Sequence, residues 1–328
     1  MKRVLWSLIL ITLVGLMAGG GGFFYVRGQA LAPGLNSQPV RMVIEPGLGV
    51  SAIATRLKAF GISANPLIFR IWARYTKAHT QLRAGEYDLP AHASVIQVLG
   101  ILKSGKTVVH KLTLAEGLSV TEALLVIQDA KGLSGDLTDI PDEGWLLPET
   151  YHYSRGDSRN ALIGRMADDM GDVLSKLWAE RRNGFILKSP KDVLILASIV
   201  EKETGIAHER AKIAAVFLNR LKRGMRLQSD PTVVYALTDG SGALGRALTR
   251  NDLKIDSPFN TYRIKGLPPT PIANPGRAAI AAVIHPERTT ALYFVADGSG
   301  GHVFANTLKA HNKNVRRWRK IKRSRKND

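Results

Sequence analysis

With 328 residues and 45% apolar content, the chain is long enough for two domains with real cores. It has no cysteine, which excludes a disulfide framework and a thiol nucleophile and leaves the redox compartment open. A formal net charge of +19 points to an anionic partner: a polyanion, a membrane surface or an acidic polymer.

Residues 4–26, VLWSLILITLVGLMAGGGGFFYV, carry no charge. As a helix they would reach roughly 34 Å, enough for a hydrocarbon core of about 30 Å. Lys2 and Arg3 precede them, which argues for a cytoplasmic N-terminus. Phe23, Phe24 and Tyr25 stand where an interfacial aromatic belt would be. The alternative is a cleaved signal peptide, with Ala30-Leu31-Ala32 as the site. Pro33 directly after it argues against cleavage, and the apolar run is long for a signal core. A retained anchor is expected, with everything after Arg27 outside the cytoplasm. Residues 28–40 read as a Gly/Pro linker.

A loose internal repeat follows. MVIEPGLGVSAIATRL, GEYDLPAHASVIQVLGILKSG and KLTLAEGLSVTEALLVI each read as an apolar strand, a turn and an amphipathic helix. Ser51, Ser94 and Ser119 are the expected N-caps. Spacing is uneven, which excludes a solenoid and implies a small α+β region. Between 106 and 192 strands, loops and helices mix, and GWLLPETYHYSRGD (144–157) offers Glu149 and His152. One helix is expected over about 190–204, stopped by Gly205, and a second over about 208–223, stopped by Gly224. The Pro/Gly/Asn-rich 225–276 reads as loops with short elements, and 291–305 as a hairpin across Gly298–Gly301.

The stretch LILASIVEKETG (194–205) is chemically the most telling. Val193–Val200 is uncharged, hence a core helix, and it runs into Glu201 and Glu203. These two lie roughly 200° apart on a helix and cannot act as a pair. Glu201 shares the face of Ala197 and Ser198, whose small side chains leave room for a cleft; Glu203 is expected to pair near Lys202 or with Arg210. A carboxyl on a core helix must be paired, protonated or facing a cavity, and in a low-dielectric cleft it suits a general acid. The tail from Lys313 to Lys326 holds nine Lys or Arg. It is either a solvated end or a contact for anionic lipid or wall polymer; no nucleic-acid motif accompanies it.

Four linked motifs, ASIVEKETG, FLNRLKRGMRLQSDPTVVYAL, SPFNTYRIKGLPPTPIANPG and HPERTTALYFVADGSGGHVFANT, closely resemble the YceG-like (MltG) family of endolytic murein transglycosylases. The likeness covers most of 41–314. It implies a carbon–oxygen lyase (EC 4.2.2.-) that cuts inside peptidoglycan strands without water and leaves 1,6-anhydro-muramoyl ends, with no cofactor and no metal. The family's catalytic Glu is matched to Glu201, and a LysM-like region to about 41–105. Gln228, Asn260 and Tyr262 look analogous to positioning residues of other lytic transglycosylases. Ser229, Asp230, Tyr235 and Glu149 are further candidates, although Asp230 could simply cap a helix and Asn260 simply make a turn. The family's usual GLPPGPI is GLPPTPI here, so Thr270 replaces a Gly, and Phe259 stands where Tyr is common.

The resulting expectation is an α+β protein. It has a cytoplasmic stub and transmembrane anchor (1–27), a linker (28–40), a LysM-like glycan-binding region (41–105), a mixed α+β catalytic region (106–314) and a basic tail (315–328). It would sit in the cytoplasmic (inner) membrane, single-pass, with its catalytic region extracytoplasmic and peptidoglycan strands as partner. Peptidoglycan synthases are partners by family resemblance only, and nucleic acid is not one. The rival readings are a non-catalytic glycan-binding protein and a water-using muramidase, for which Glu149 or Asp230 could supply the second carboxylate.

Overall fold

The computed structural model describes residues 2–327. Met1 and Asp328 lie outside the described residues, as do the side chains of Lys2, Arg325, Lys326 and Asn327. The end of the basic tail and the Lys2 flank therefore receive no structural account. The chain forms two compact units, one of residues 1–110 with 154–156 and one of 111–153 with 157–328.

The first unit begins with helix α1 (Lys2–Leu31). It is long and apolar enough to cross a membrane, and its membrane-length stretch is bare of protein packing. The helix runs past the expected linker start. Near its C-terminal end Phe23 packs on Trp72 and Tyr75, with ring centroids at 6.2 and 5.3 Å. One aromatic of the expected belt is therefore engaged with protein, whereas Phe24 and Tyr25 are exposed.

Strand β1 (Val40–Ile44) leads to α2 (Val50–Ala59) and α3 (Pro66–Tyr75); β2 (Gly85–Leu89) leads to α4 (Val95–Ser104). β1 and β2 pair antiparallel, with Met42 opposite Tyr87. Both side chains are fully buried with Ile53, Leu57, Phe69 and Val98. The strand–turn–helix plan recurs a third time in β3 (Val109–Thr113) and α5 (Val120–Gln128). Ser94 and Ser119 cap α4 and α5 with full capping boxes, through Gln97 and Glu122. Ser51 does not cap α2. In the first copy the serine follows the valine instead of preceding it, so Gly49 takes the cap position and Ser51 falls inside the first turn.

In the second unit β3 pairs with β4 (Thr150–Ser154), and a 21-residue helix, α6 (Arg159–Ala179), crosses to the helical core. That core is α7 (Pro190–Glu203), packed against α6, α8 (Arg210–Lys222) and α10 (Arg277–Ile284). α7 starts on a Ser189/Asp192 capping box with Pro190 at the first turn, where its missing N–H costs nothing. All eight residues from Val193 to Val200 are buried, as an uncharged run requires. α7 does not need Gly205 to stop. Thr204 turns extended (φ −148°, ψ 131°), and its hydroxyl accepts from the Ile206 N–H at 3.0 Å. Gly224 does stop α8, with φ +64°.

The loop-rich 225–276 contains one further α-helix, α9 (Asp230–Thr238), and a short 3-10 turn at Asp252–Lys254. A hairpin, β5 (Tyr293–Ala296) and β6 (His302–Ala305), pairs Phe294 with Phe304. Helix α11 (Leu308–Asn327) lies against the hairpin and carries the basic run. Its half-buried positions are His311, Asn314, Val315, Trp318 and Ile321, spaced at helical intervals. As far as Ser324 the basic run is thus the outer face of a helix.

Candidate active site

The 200° separation of the two glutamates is realised, and each carboxyl meets a different loop. The Glu201 carboxylate is 4% exposed and takes Arg210 Nη2 at 3.3 Å. Its other oxygen accepts the backbone N–H of Gly276 at 2.9 Å. Gly276 is the N-cap of α10, so Glu201 satisfies an orphan donor at a helix start and meets its positive end. Arg210 is shared with Glu116 at 3.3 Å.

The face of Ala197 and Ser198, expected to open into a cleft, is filled. Ser198 Oγ donates to Ile195 O at 2.7 Å and accepts the Ile272 N–H at 3.0 Å. The segment after Thr270 packs there; Thr270 itself is not in the left-handed region, so a side chain is tolerated in place of Gly. Arg210 pairs with Glu201 and not with Glu203, the reverse of the sequence expectation.

Glu203, the last residue of α7, lines a cavity of about 510 Å³ with Arg220, Gln228, Asp230 and Tyr262. The other wall comes from β5 and from Leu308, His311 and Asn312 in the first turns of α11. Ser229 Oγ donates to Glu203 Oε1 at 2.5 Å. Burial, helped by the charge of Asp230, pushes the Glu203 carboxyl up to about 7 against this hydrogen bond and the nearby His302 and Arg220. The negative end of α7 acts in the same direction.

The loop that delivers Ser229 is held at several points. Gln228 sits in the left-handed region, φ +53°, unusual for a residue with a side chain. Its N–H donates to Thr261 O at 3.1 Å, and the Ser229 N–H donates to Thr261 Oγ1 at 3.0 Å. The buried Arg220 donates Nη1 to Leu227 O and Nε to Leu292 O, each at 2.7 Å, tying this loop to the hairpin. Tyr262 donates to Asp230 Oδ1 at 2.5 Å. Burial first, then that hydrogen bond, holds the Tyr262 hydroxyl well above its usual range, so it stays a donor.

Of the residues singled out in the sequence, Gln228, Asp230 and Tyr262 therefore line one cavity with Glu203, and the buried Ser229 bonds to its carboxyl. Glu201 is not among them. Asn260 is fully buried, and its amide is spent on the chain: Nδ2 donates to Leu253 O and Ile255 O, and Oδ1 accepts from the Tyr262 N–H. It shapes the loop that presents Tyr262. Tyr235 lies on the far side of α9 in a second cavity, against Phe259 and donating to Glu143 at 3.3 Å. Glu149 is exposed at the start of β4. Arg220, His311 and Asn312 were not anticipated, because each lies far in sequence from the glutamate it faces.

Such a constellation defines a class of site: one carboxyl tuned to give and take a proton near neutrality, with a second carboxylate beside it. The comparisons with known proteins make this more specific. The chain belongs to the YceG-like family, whose sequence profile matches residues 42–317. It is 33% identical over 329 residues to an endolytic murein transglycosylase of Bacillus subtilis (strain 168), covering 90% of this chain and 89% of that protein. It is 32% identical over 356 residues to the endolytic murein transglycosylase of Streptococcus pneumoniae (strain D39), covering 93% of this chain and 63% of that longer one. Among solved structures, a YceG-like protein from Listeria monocytogenes aligns with a TM-score of 0.52 at 30% identity, over 85% of this chain and 99% of that one.

Proposed function

We propose that the chain is a membrane-anchored endolytic murein (peptidoglycan) lytic transglycosylase whose single acid/base is Glu203. The observation that carries this is the Glu203 carboxyl itself: half-buried at the end of a core helix, open to a cavity, and pushed up to about 7. It is protonated often enough to act as acid and is basic enough to take a proton back.

The protonated Glu203 donates to the glycosidic oxygen as the muramoyl C1–O bond breaks. The Asp230 carboxylate, fixed by Tyr262, offsets the positive charge that develops on the sugar. The sugar's own C6 hydroxyl oxygen then bonds to C1, and its proton returns to Glu203. A 1,6-anhydro ring closes, no water is consumed, and the carboxyl ends as it began. Ser229 orients the carboxyl throughout. Glu201 has a structural role in this reading: its carboxyl, 4% exposed, is committed to Arg210 and Gly276 and joins α7 to α8 and α10.

Support for the anchor is α1, long and apolar enough to span a bilayer, with Arg3 ahead of the apolar run. The catalytic unit would then be extracytoplasmic. Residues 41–105, with their own core, serve as the LysM-like glycan-binding region. Alkaline extraction of membranes should leave the full-length chain in the pellet; a soluble chain beginning near residue 33 would remove the anchor.

One specific observation favours a second reading. Asp230 lines the same cavity as Glu203, so a water-using muramidase has its two carboxylates available. Digestion of peptidoglycan by the full chain in ¹⁸O water, read by mass spectrometry, separates the readings. Anhydro ends without label support the transglycosylase, labelled reducing ends would make it a hydrolase, and no product would leave a binding protein.

A further inference from the structure

Asp230 faces two cavities. Besides the one with Glu203, it lines a second, of about 530 Å³, on the other side of α9's first turn. Resting on the reading that Glu203 cleaves at a muramoyl C1, we propose that this second cavity is the binding site for the peptide branch of the strand.

The sugar placed against Glu203 is necessarily the muramoyl one, since its C1–O bond is cut. That sugar carries the lactyl group to which the short stem peptide is joined. Its branch therefore starts beside Asp230, the residue common to both cavities.

The lining of the second cavity suits a peptide better than more sugar. It is aliphatic in Pro231, Val234, Leu244, Leu248 and Ile272. Alanyl methyls fit such a wall, whereas sugar sites rely on aromatic faces and dense polar side chains. The aromatic Tyr235 is occupied by Phe259, at 4.9 Å, and by Glu143. Gly240, Gly242 and Gly245, all at positive φ, leave another part of the wall free of side chains for close backbone approach.

Charge selects the same ligand. Arg246 is neutralised by Asp252, with contacts at 2.6 and 3.1 Å, and Glu122 is committed to capping α5. Asp230 is engaged by Tyr262. Lys202 is different: its ammonium donates to Gly117 O at 3.0 Å and has no carboxylate partner among the described residues. An ammonium has three donors, so two remain. An N-acetylated sugar offers this cation only neutral hydroxyl and carbonyl acceptors, whereas a stem peptide ends in a carboxylate that pairs with its charge. Lys202 lies between Glu201 and Glu203 on α7, which places the cation one residue from the acid.

The test compares two substrates on the full chain in detergent: strands with intact stem peptides, and the same strands stripped by a muramoyl amidase. Anhydro products are counted for each. The expected kcat/KM is at least about 10-fold higher on peptide-bearing strands. Lys202→Gln should bring that ratio towards one through a higher KM on the peptide-bearing substrate. Leu244→Glu, at a partly exposed loop position where folding is not at stake, should do the same. A wild-type ratio near one, or variants that lower both substrates equally, would overturn the proposal. Absence of anhydro product from both substrates would remove the transglycosylase reading itself, and the branch site with it.

Discussion

Replacing Glu203 with Gln should stabilise the protein in alkaline solution while abolishing turnover. The ordinary carboxyl value is 4.5, whereas burial holds the folded Glu203 at about 7. In the window between these values the native state binds the extra proton, so stability is greatest below the unfolded value and falls as pH rises through the folded one. A gap of about 2.5 pH units at about 1.4 kcal/mol each makes the cost of the buried carboxylate about 3 kcal/mol above pH 7. Glutamine occupies the same volume, can accept the Ser229 hydrogen bond, and does not ionise. Urea unfolding of the full chain in detergent, from about pH 4 to about pH 8, reads the difference directly. The Gln variant should gain about 3 kcal/mol relative to wild type between the two ends of that range. Parallel pH profiles for the two proteins would refute the burial argument, because the carboxyl would then titrate alike folded and unfolded.

Glu201→Gln should act oppositely: it removes a buried charge from Arg210 and weakens the Gly276 cap, for a loss of about 1–3 kcal/mol in the same unfolding assay at neutral pH. Ser229→Ala deletes the donor that favours the Glu203 carboxylate, so the carboxyl should rise further. Because cleavage needs the protonated acid, the falling limb of kcat/KM against pH should move to higher pH. Tyr262→Phe should free Asp230 and lower kcat by roughly 10-fold with little change in folding, checked by turnover and thermal melting together. Asn260→Ala leaves two carbonyls and one N–H without their partner inside the fold and should cost about 3 kcal/mol in urea unfolding.

Much of this architecture was legible in the residues. An uncharged run from Val193 to Val200 has only one stable destination, and α7 is a core helix. Ser94 and Ser119, each three residues before a Gln or Glu, announced α4 and α5. The hairpin across Gly298–Gly301 and the long apolar α1 were equally plain. The surroundings of the two glutamates were not. Helical periodicity separated Glu201 from Glu203 correctly, but it cannot say which face is covered, and a stripe of small residues fits a packed segment as well as a cleft. Here the segment at Ile272 fills it. The cavity is made at the opposite face by a loop more than twenty residues downstream and by a hairpin some ninety downstream, neither of which local pattern can dock. Asn260 illustrates the same limit: an amide that builds a loop and one that binds a sugar read alike in sequence.

The account stands most directly on a paired rate measurement. Anhydro-product formation from purified peptidoglycan is followed for wild type, Glu203→Gln and Glu201→Gln, each confirmed folded by its unfolding curve. The Glu203→Gln rate should fall by at least about 10²-fold, as loss of an acid/base group typically demands, while Glu201→Gln keeps most of the wild-type rate per folded molecule. A Glu203→Gln enzyme turning over at the wild-type rate, with the loss at Glu201→Gln instead, would contradict it.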